Sequence, residues 1–192
     1  DVQAQPLQAK AASGYVPDTP NLYAKLTGRE LLRFVGDLFE MERQQVERRI
    51  EELLRLFDLE QAGDDTIDSY SHGMQQKTAL AAALMHDPKV LVLDEPTVGL
   101  DPRSARLIKD ILRQLAERGA AVFLSTHILE IAERMCDRIG IIDDVSCRRY
   151  DPLLIMTVSS MNSRRYKGRG ARGESDGARI RGLLSENTAS IP

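Results

Sequence analysis

Apolar positions recur at helical spacing through the first half of the chain. Thr27-Gly28-Arg29-Glu30 has the form of a capping box, and Leu31, Phe34, Val35, Leu38 and Phe39 follow it as an amphipathic helix. Val46, Ile50, Leu53, Leu54 and Phe57 mark the stripe of a second helix. Residues 64–71 read as a polar loop, and an Ala- and Leu-rich helix is predicted from about Gly73 to Met85. After Pro88 comes the continuous apolar run Val90-Leu91-Val92-Leu93, which ends in Asp94-Glu95. That profile predicts a strand buried on both faces of a parallel sheet. Asp101-Pro102 supplies the cap and first residue of the next helix. Leu107, Ile108, Ile111, Leu112 and Leu115 form its inner face, and Gly119 ends it. Residues 121–124 are a second buried strand, 128–136 a helix and 138–142 a last strand. Strands alternating with helices predict an α/β domain with a mostly parallel sheet.

The pattern stops near Asp143-Asp144. Residues 144–192 are rich in Arg, Gly and Ser, and only residues 153–158 offer an apolar segment. This tail is expected to be mostly disordered, or read out of frame, because it has too little apolar surface to offset chain entropy. At 192 residues, 42% hydrophobic and 29% charged, the whole chain has the size and composition of one globular domain with an appendage. A formal charge of −3 gives no electrostatic case for binding nucleic acid or lipid. The two cysteines, Cys136 and Cys147, have no metal-ligand spacing, and their sparseness fits a reducing compartment. No run approaches the ~20 apolar residues of a membrane span. The start, Asp1-Val2-Gln3-Ala4-Gln5, has neither the form of a signal peptide nor an initiator Met. A processed chain, or a piece of a longer one, is expected.

The chemistry concentrates at strand ends. A buried strand that delivers Asp94 and Glu95 at its C-terminal edge places two carboxylates where open α/β sheets bind ligands. In a nucleotide hydrolase the first would hold Mg²⁺ and the second would polarise the attacking water. A strand end followed by a helix cap is the alternative. Ser125-Thr126-His127 ends the next strand on the same side, so His127 could touch a γ-phosphate and the carboxylate together, or be structural. Upstream, Ser71 can cap a helix while Gly73 lets backbone approach a ligand. The helix N-terminus there suits phosphate, although a plain cap explains the spacing equally well. Gly168-Arg169-Gly170-Ala171-Arg172-Gly173 fits G-x-G-x-x-G but precedes no apolar helix, and is rejected as a cofactor loop.

Tyr70-Ser71-His72-Gly73-Met74-Gln75-Gln76-Lys77, then Leu93-Asp94-Glu95-Pro96-Thr97-Val98-Gly99-Leu100-Asp101-Pro102, then Ser125-Thr126-His127, in that order and spacing, resemble the ATP-binding subunit of ABC transporters. The resemblance covers about residues 1–143. It implies a P-loop NTPase-like core at about 87–143, a helical subdomain at about 27–86, and ATP and Mg²⁺ as ligands. Ser71, His72, Gly73 and Met74 match the signature loop that contacts the ATP held by the opposite subunit. His72 stands where Gly is more usual, a variant associated with exporter-type subunits. Asp94 matches the Mg²⁺-linked acid, Glu95 the general base, Asp101 the loop that communicates across the dimer, and His127 the switch histidine. Gly14-Tyr15-Val16-Pro17-Asp18 looks like the loop that senses the membrane subunit and completes the metal site, with Asp18 in place of the usual Gln.

The resemblance also implies what the chain lacks. No G-x-x-x-x-G-K-[ST] phosphate loop occurs in it, and in the family that loop, with the strand before it, lies upstream of Tyr15. The chain as given is therefore expected to be N-terminally incomplete and inactive alone. The implied partners are a second ATP-binding subunit and a transmembrane permease, at the cytoplasmic face of the membrane, with no nucleic acid. Translation factors and DNA-repair ATPases of the same type, and a non-catalytic remnant that only binds a partner, are the competing readings.

Overall fold

The structure is a computed structural model that describes residues 2–142 and 154–159. The chain opens with a short helix, α1 (Pro6–Ala11), and an edge strand, β1 (Ser13–Val16). Three helices follow: α2 (Gly28–Leu38), α3 (Arg43–Leu56) and α4 (His72–Leu84). Then come β2 (Val90–Asp94), α5 (Pro102–Glu117), β3 (Ala121–Thr126), α6 (Leu129–Met135), β4 (Ile139–Ile142) and β5 (Leu154–Ser159).

The predicted caps form. Thr27 Oγ1 accepts from Glu30 N at 3.2 Å while the Glu30 carboxylate accepts from Thr27 N at 2.8 Å, which starts α2. Asp101 caps α5 by accepting from Arg103 N at 2.9 Å and Ser104 N at 3.0 Å. The α3 stripe is buried as expected, with Val46, Ile50, Leu53, Leu54 and Phe57 at most 1% exposed. On α2 the stripe turns out narrower. Leu31 and Leu32 are buried, but Phe34 and Leu38 are exposed, because α3 and α4 cover only one side of the helix.

The sheet order is β1-β2-β3-β5-β4. Strands β1, β2 and β3 are parallel, with Val16 opposite Leu93 and Leu93 opposite Leu124. Gly14, Val16, Leu91, Leu93, Val122 and Leu124 form one buried face over a core shared with α3, α4 and α5. Tyr15, Val92 and Phe123 form the other face and keep part of their surface exposed. The expectation of strands buried on both faces is thus corrected: the buried core shared with α3, α4 and α5 lies against one face.

Three further differences from the sequence reading have local causes. Gly14-Tyr15-Val16, read as part of a loop, is the edge strand β1. It is only four residues long, and its alternation is hidden by a glycine at one inward position. Residues 64–71, read as a polar loop, include a single 3₁₀ turn at Ile67–Ser69 and bury Ile67 and Tyr70 against Leu31. Finally, residues 144–192 are not all tail. Leu154–Ser159 pairs antiparallel with both β3 and β4 and belongs to the compact unit Asp1–Asn162. Its apolar run finds a place between two strands that are parallel to each other one strand position apart. The rest of the expected tail, the rejected glycine motif included, lies outside the described residues.

Candidate functional site

Asp94 and Glu95 leave the C-terminal edge of β2 beside the end of β3, because Asp94 pairs in register with Ser125. Ser125 Oγ donates to Asp94 Oδ1. Glu95 adopts φ +46°, and its N–H donates to Ser125 O at 3.0 Å. The turn brings its carboxylate over β3. There Oε1 accepts from His127 N at 2.6 Å and lies 2.7 Å from His127 Nδ1, while Oε2 accepts from Thr126 Oγ1 at 2.9 Å. With its proton on Nδ1, the imidazole leaves Nε2 as an acceptor on a ring that is 62% exposed. A carboxylate has about four lone-pair positions, so three donors leave Glu95 one with which to receive a proton. Its side chain is 18% exposed, enough to meet a water.

The sequence placed Glu95 and His127 on neighbouring strand ends, and the structure brings them into contact. It missed Ser125 and Thr126 as the partners of the two carboxylates. The signal was available in the parallel register, which makes every residue of Ser125-Thr126-His127 a neighbour of Asp94-Glu95.

The remaining candidate residues form two other groups. Asp18 follows β1 by two residues and is exposed, with Oδ1 accepting from Thr19 N at 2.6 Å. It leaves the same sheet edge as Asp94, since Val16 pairs with Leu93. Among the described residues no three His, Cys, Asp or Glu side chains gather as a metal cage. Ser71 caps α4, with Oγ accepting from Met74 N at 3.3 Å. Ser71 and His72 are exposed, and Gly73 and Met74 are half-buried. Gln75 Nε2 reaches the carbonyls of Ile67 and Tyr70, each at 3.4 Å, and so ties the start of α4 to the preceding 3₁₀ turn. Hydrogen bonds from Ser104 hold the Asp101 carboxyl below its ordinary range, with a smaller contribution from the charge of Lys77 on α4.

Residues 13–133 match the protein family described as AAA domain, putative AbiEii toxin, Type IV TA system. The chain is 37% identical over 167 residues to the linearmycin resistance ATP-binding protein LnrL of Bacillus subtilis (strain 168), covering 81% of this chain and 54% of LnrL. It is 42% identical over 135 residues to the Nod factor export ATP-binding protein I of Rhizobium meliloti (strain 1021), covering 70% of this chain and 40% of that protein. The chain thus spans about half the length of the curated relatives it matches. An ATP-binding subunit of an ABC transporter superposes with a TM-score of 0.65 at 35% identity, over 71% of this chain and 57% of that one. A dimeric ATP-binding cassette in a post-hydrolysis state, bound to ADP and Pi, superposes with a TM-score of 0.60 at 27% identity, over 69% of this chain and 59% of that one.

Proposed function

The chain belongs to the ATP-binding subunits of ABC transporters, and from that premise we propose that it forms the carboxylate–histidine half of an ATP-hydrolysing site that powers export through a separate membrane permease. The observation that carries this reading is the contact of Glu95 with His127 at the end of two parallel strands, with Asp94 beside them. Glu95 accepts a proton from the attacking water through its remaining lone pair. His127 fixes the carboxylate through Nδ1 and turns Nε2 toward the reacting edge. Thr126, fully buried, locks the other carboxylate oxygen.

The donor set suits magnesium. Asp94 and Asp18 are hard oxygen donors on one edge, and Mg²⁺ is usually held by one or two carboxylates together with substrate phosphates and water. Bound there, the ion would neutralise phosphate charge. Phosphate itself would be gripped by a G-x-x-x-x-G-K-[ST] loop, which this chain of 192 residues does not contain. Ser71, His72, Gly73 and Met74 form the N-terminal end of α4, capped by the Ser71–Met74 hydrogen bond, and would meet the nucleotide of a second ATP-binding subunit. The dimeric relative with ADP and Pi supports such a pairing.

The permease partner finds support in an apolar surface on the helical part. Tyr23 and Phe34 stack edge to face at 5.5 Å while 61% and 44% exposed, and Leu38 is 68% exposed. Exposed aromatics grouped this way mark an interaction surface. Among the described residues no helix is long and apolar enough to cross a membrane. Attachment to the cytoplasmic face would thus run through this surface.

The test pairs a version of the chain extended upstream by a phosphate-gripping loop with an intact ATP-binding subunit whose own Glu at the position of Glu95 is Gln. Glu95→Gln in this chain should lower turnover by about 10²–10⁴-fold while ATP binding persists, because the amide keeps the shape but cannot take the proton. The chain alone should show no turnover above its Glu95→Gln background. Near-normal turnover by the paired variant would move the base to another residue.

A further inference from the structure

The start of α4 is joined to the turn that follows Glu95 at three successive positions. His72 lies over Gly99: a Cβ built there would sit 3.3 Å from His72 Cδ2 and 3.4 Å from Nε2. Gly73 faces Leu100, whose Cδ2 would be 3.5 Å from a Cβ at residue 73. Lys77, one turn further along α4, acts on the Asp101 carboxylate. The turn itself is short and closed. Glu95 O accepts from Val98 N at 3.2 Å and Thr97 O from Leu100 N at 3.4 Å. Its two bends are left-handed, Glu95 at φ +46° and Gly99 at φ +72°. Only three residues separate the carboxylate that holds His127 from the glycine beneath His72.

Gly99 meets two demands at once. It accepts the left-handed bend without a Cβ penalty, and it leaves room for the His72 ring. A glycine at position 72 would leave that room empty. His72 is exposed to solvent, so a core packing role does not account for its placement.

We infer that His72 is a positioning residue: its ring clamps the 95–101 turn to the signature end of α4, so that a shift of that helix end is passed to the Glu95 carboxylate. The inference rests on the proposed function in one respect. If α4 meets the partner's nucleotide while Glu95 acts on the chain's own, the clamp links the two sites within one subunit.

Hydrogen exchange on the whole chain tests the clamp without any nucleotide. His72→Ala should raise the exchange rates of the Val98 and Leu100 amides about five-fold or more, as expected when a local closing contact is lost. His72→Phe, which restores a flat ring, should return them to within about two-fold of the unmodified chain. Gly99→Ala should also speed exchange, and His72→Ala combined with it should add nothing, because contacting residues do not act independently. Unchanged amides in His72→Ala, or no recovery in His72→Phe, would overturn the clamp. In the mixed pair described above, His72→Ala should lower kcat by about five-fold or more with recovery in His72→Phe. A kcat untouched by His72→Ala would overturn the link between the sites. If Glu95→Gln had no effect in that pair, the hydrolysis reading would fail, while the exchange data would still decide the clamp.

Discussion

Truncating Glu95 should cost stability in an order that the geometry fixes. Three donors converge on its carboxylate: Thr126 Oγ1 at 2.9 Å, His127 N at 2.6 Å and His127 Nδ1 at 2.7 Å. His127 is exposed enough for water to replace its two bonds, but Thr126 is 1% exposed. In Glu95→Ala the Thr126 proton is left buried without this acceptor, a loss of about 1–3 kcal/mol. In Glu95→Gln the amide oxygen can still accept from Thr126 Oγ1, which turns the amide nitrogen toward His127. That side is exposed, so Nδ1 can switch to the acceptor tautomer and water can take up the His127 N–H, and the cost should stay near ~1 kcal/mol or below. Glu95→Gly loses the same bonds as Ala but relieves the left-handed φ of +46°. Such a conformation costs a residue with a Cβ about 1–2 kcal/mol. The expected ranking is therefore the unmodified chain, then Gln, then Gly, with Ala least stable. Urea unfolding with linear extrapolation would resolve it, as would melting, where 1 kcal/mol corresponds to roughly 2–4 °C for a chain of this size. An Ala variant as stable as the unmodified chain, or a Gly variant below Ala, would refute the reasoning.

Gly14→Ala should destabilise the edge strand: the new Cβ would lie 2.7 Å from Ala83 O and 2.9 Å from Leu91 Cδ1, and overpacking against backbone typically costs about 1–3 kcal/mol. A melting temperature equal to that of the unmodified chain would show that β1 has room to move. His86 should give the stability curve a slope on the acid side. Burial pushes its imidazole below the ordinary value, against smaller opposing effects of the hydrogen bond to Ser13 O and the charge of Asp87. The unfolded chain thus takes up a proton near pH ~6.5 and the folded chain only lower, so stability falls as pH falls through that window. His86→Gln should lose this part of the slope, and unfolding curves of equal slope for the two proteins between neutral and mildly acidic pH would count against it.

What the sequence revealed was local. The Thr27 box, the α3 stripe and the Asp101 cap each follow from residues within one helix of each other, and each formed as read. What it concealed depended on distant surfaces. Phe34 and Leu38 keep the spacing of a buried stripe, yet they are exposed because the main core takes up Leu32, Val35 and Gly36 on the other side of the helix. Val90-Leu91-Val92-Leu93 is apolar throughout, but only Leu91 and Leu93 meet the helical core. The apolar run at residues 153–158 was visible, whereas its insertion between β3 and β4 was not, since antiparallel pairing leaves no mark on a single strand. At the site, the motif residues were legible by type and spacing. The partnership of Asp94 with Ser125 required the strand register, and the seat of His72 on Gly99 required the turn between Glu95 and Asp101 to close.

That turn explains why Asp94 and Glu95, adjacent in sequence, face different partners. Leu93 points into the core and Asp94 to the opposite face, so a strand continued to residue 95 would send Glu95 back toward the core. The left-handed φ interrupts the alternation and lays the carboxylate along the end of β3 instead. A conformation of that kind costs about 1–3 kcal/mol and persists only where surrounding contacts fix it. Here the fixing contacts are Thr126 and His127, whose positions follow from the pairing of Asp94 with Ser125. Hydrogen bonds to a charged group contribute about 1.5–3 kcal/mol each, so even the buried Thr126 bond alone is of the size needed to offset the strain. The strained acid and the strand end that holds it thus form one unit. A substitution that shifted β3 by a single residue would separate Glu95 from Thr126 and His127 while leaving both motifs intact in the sequence.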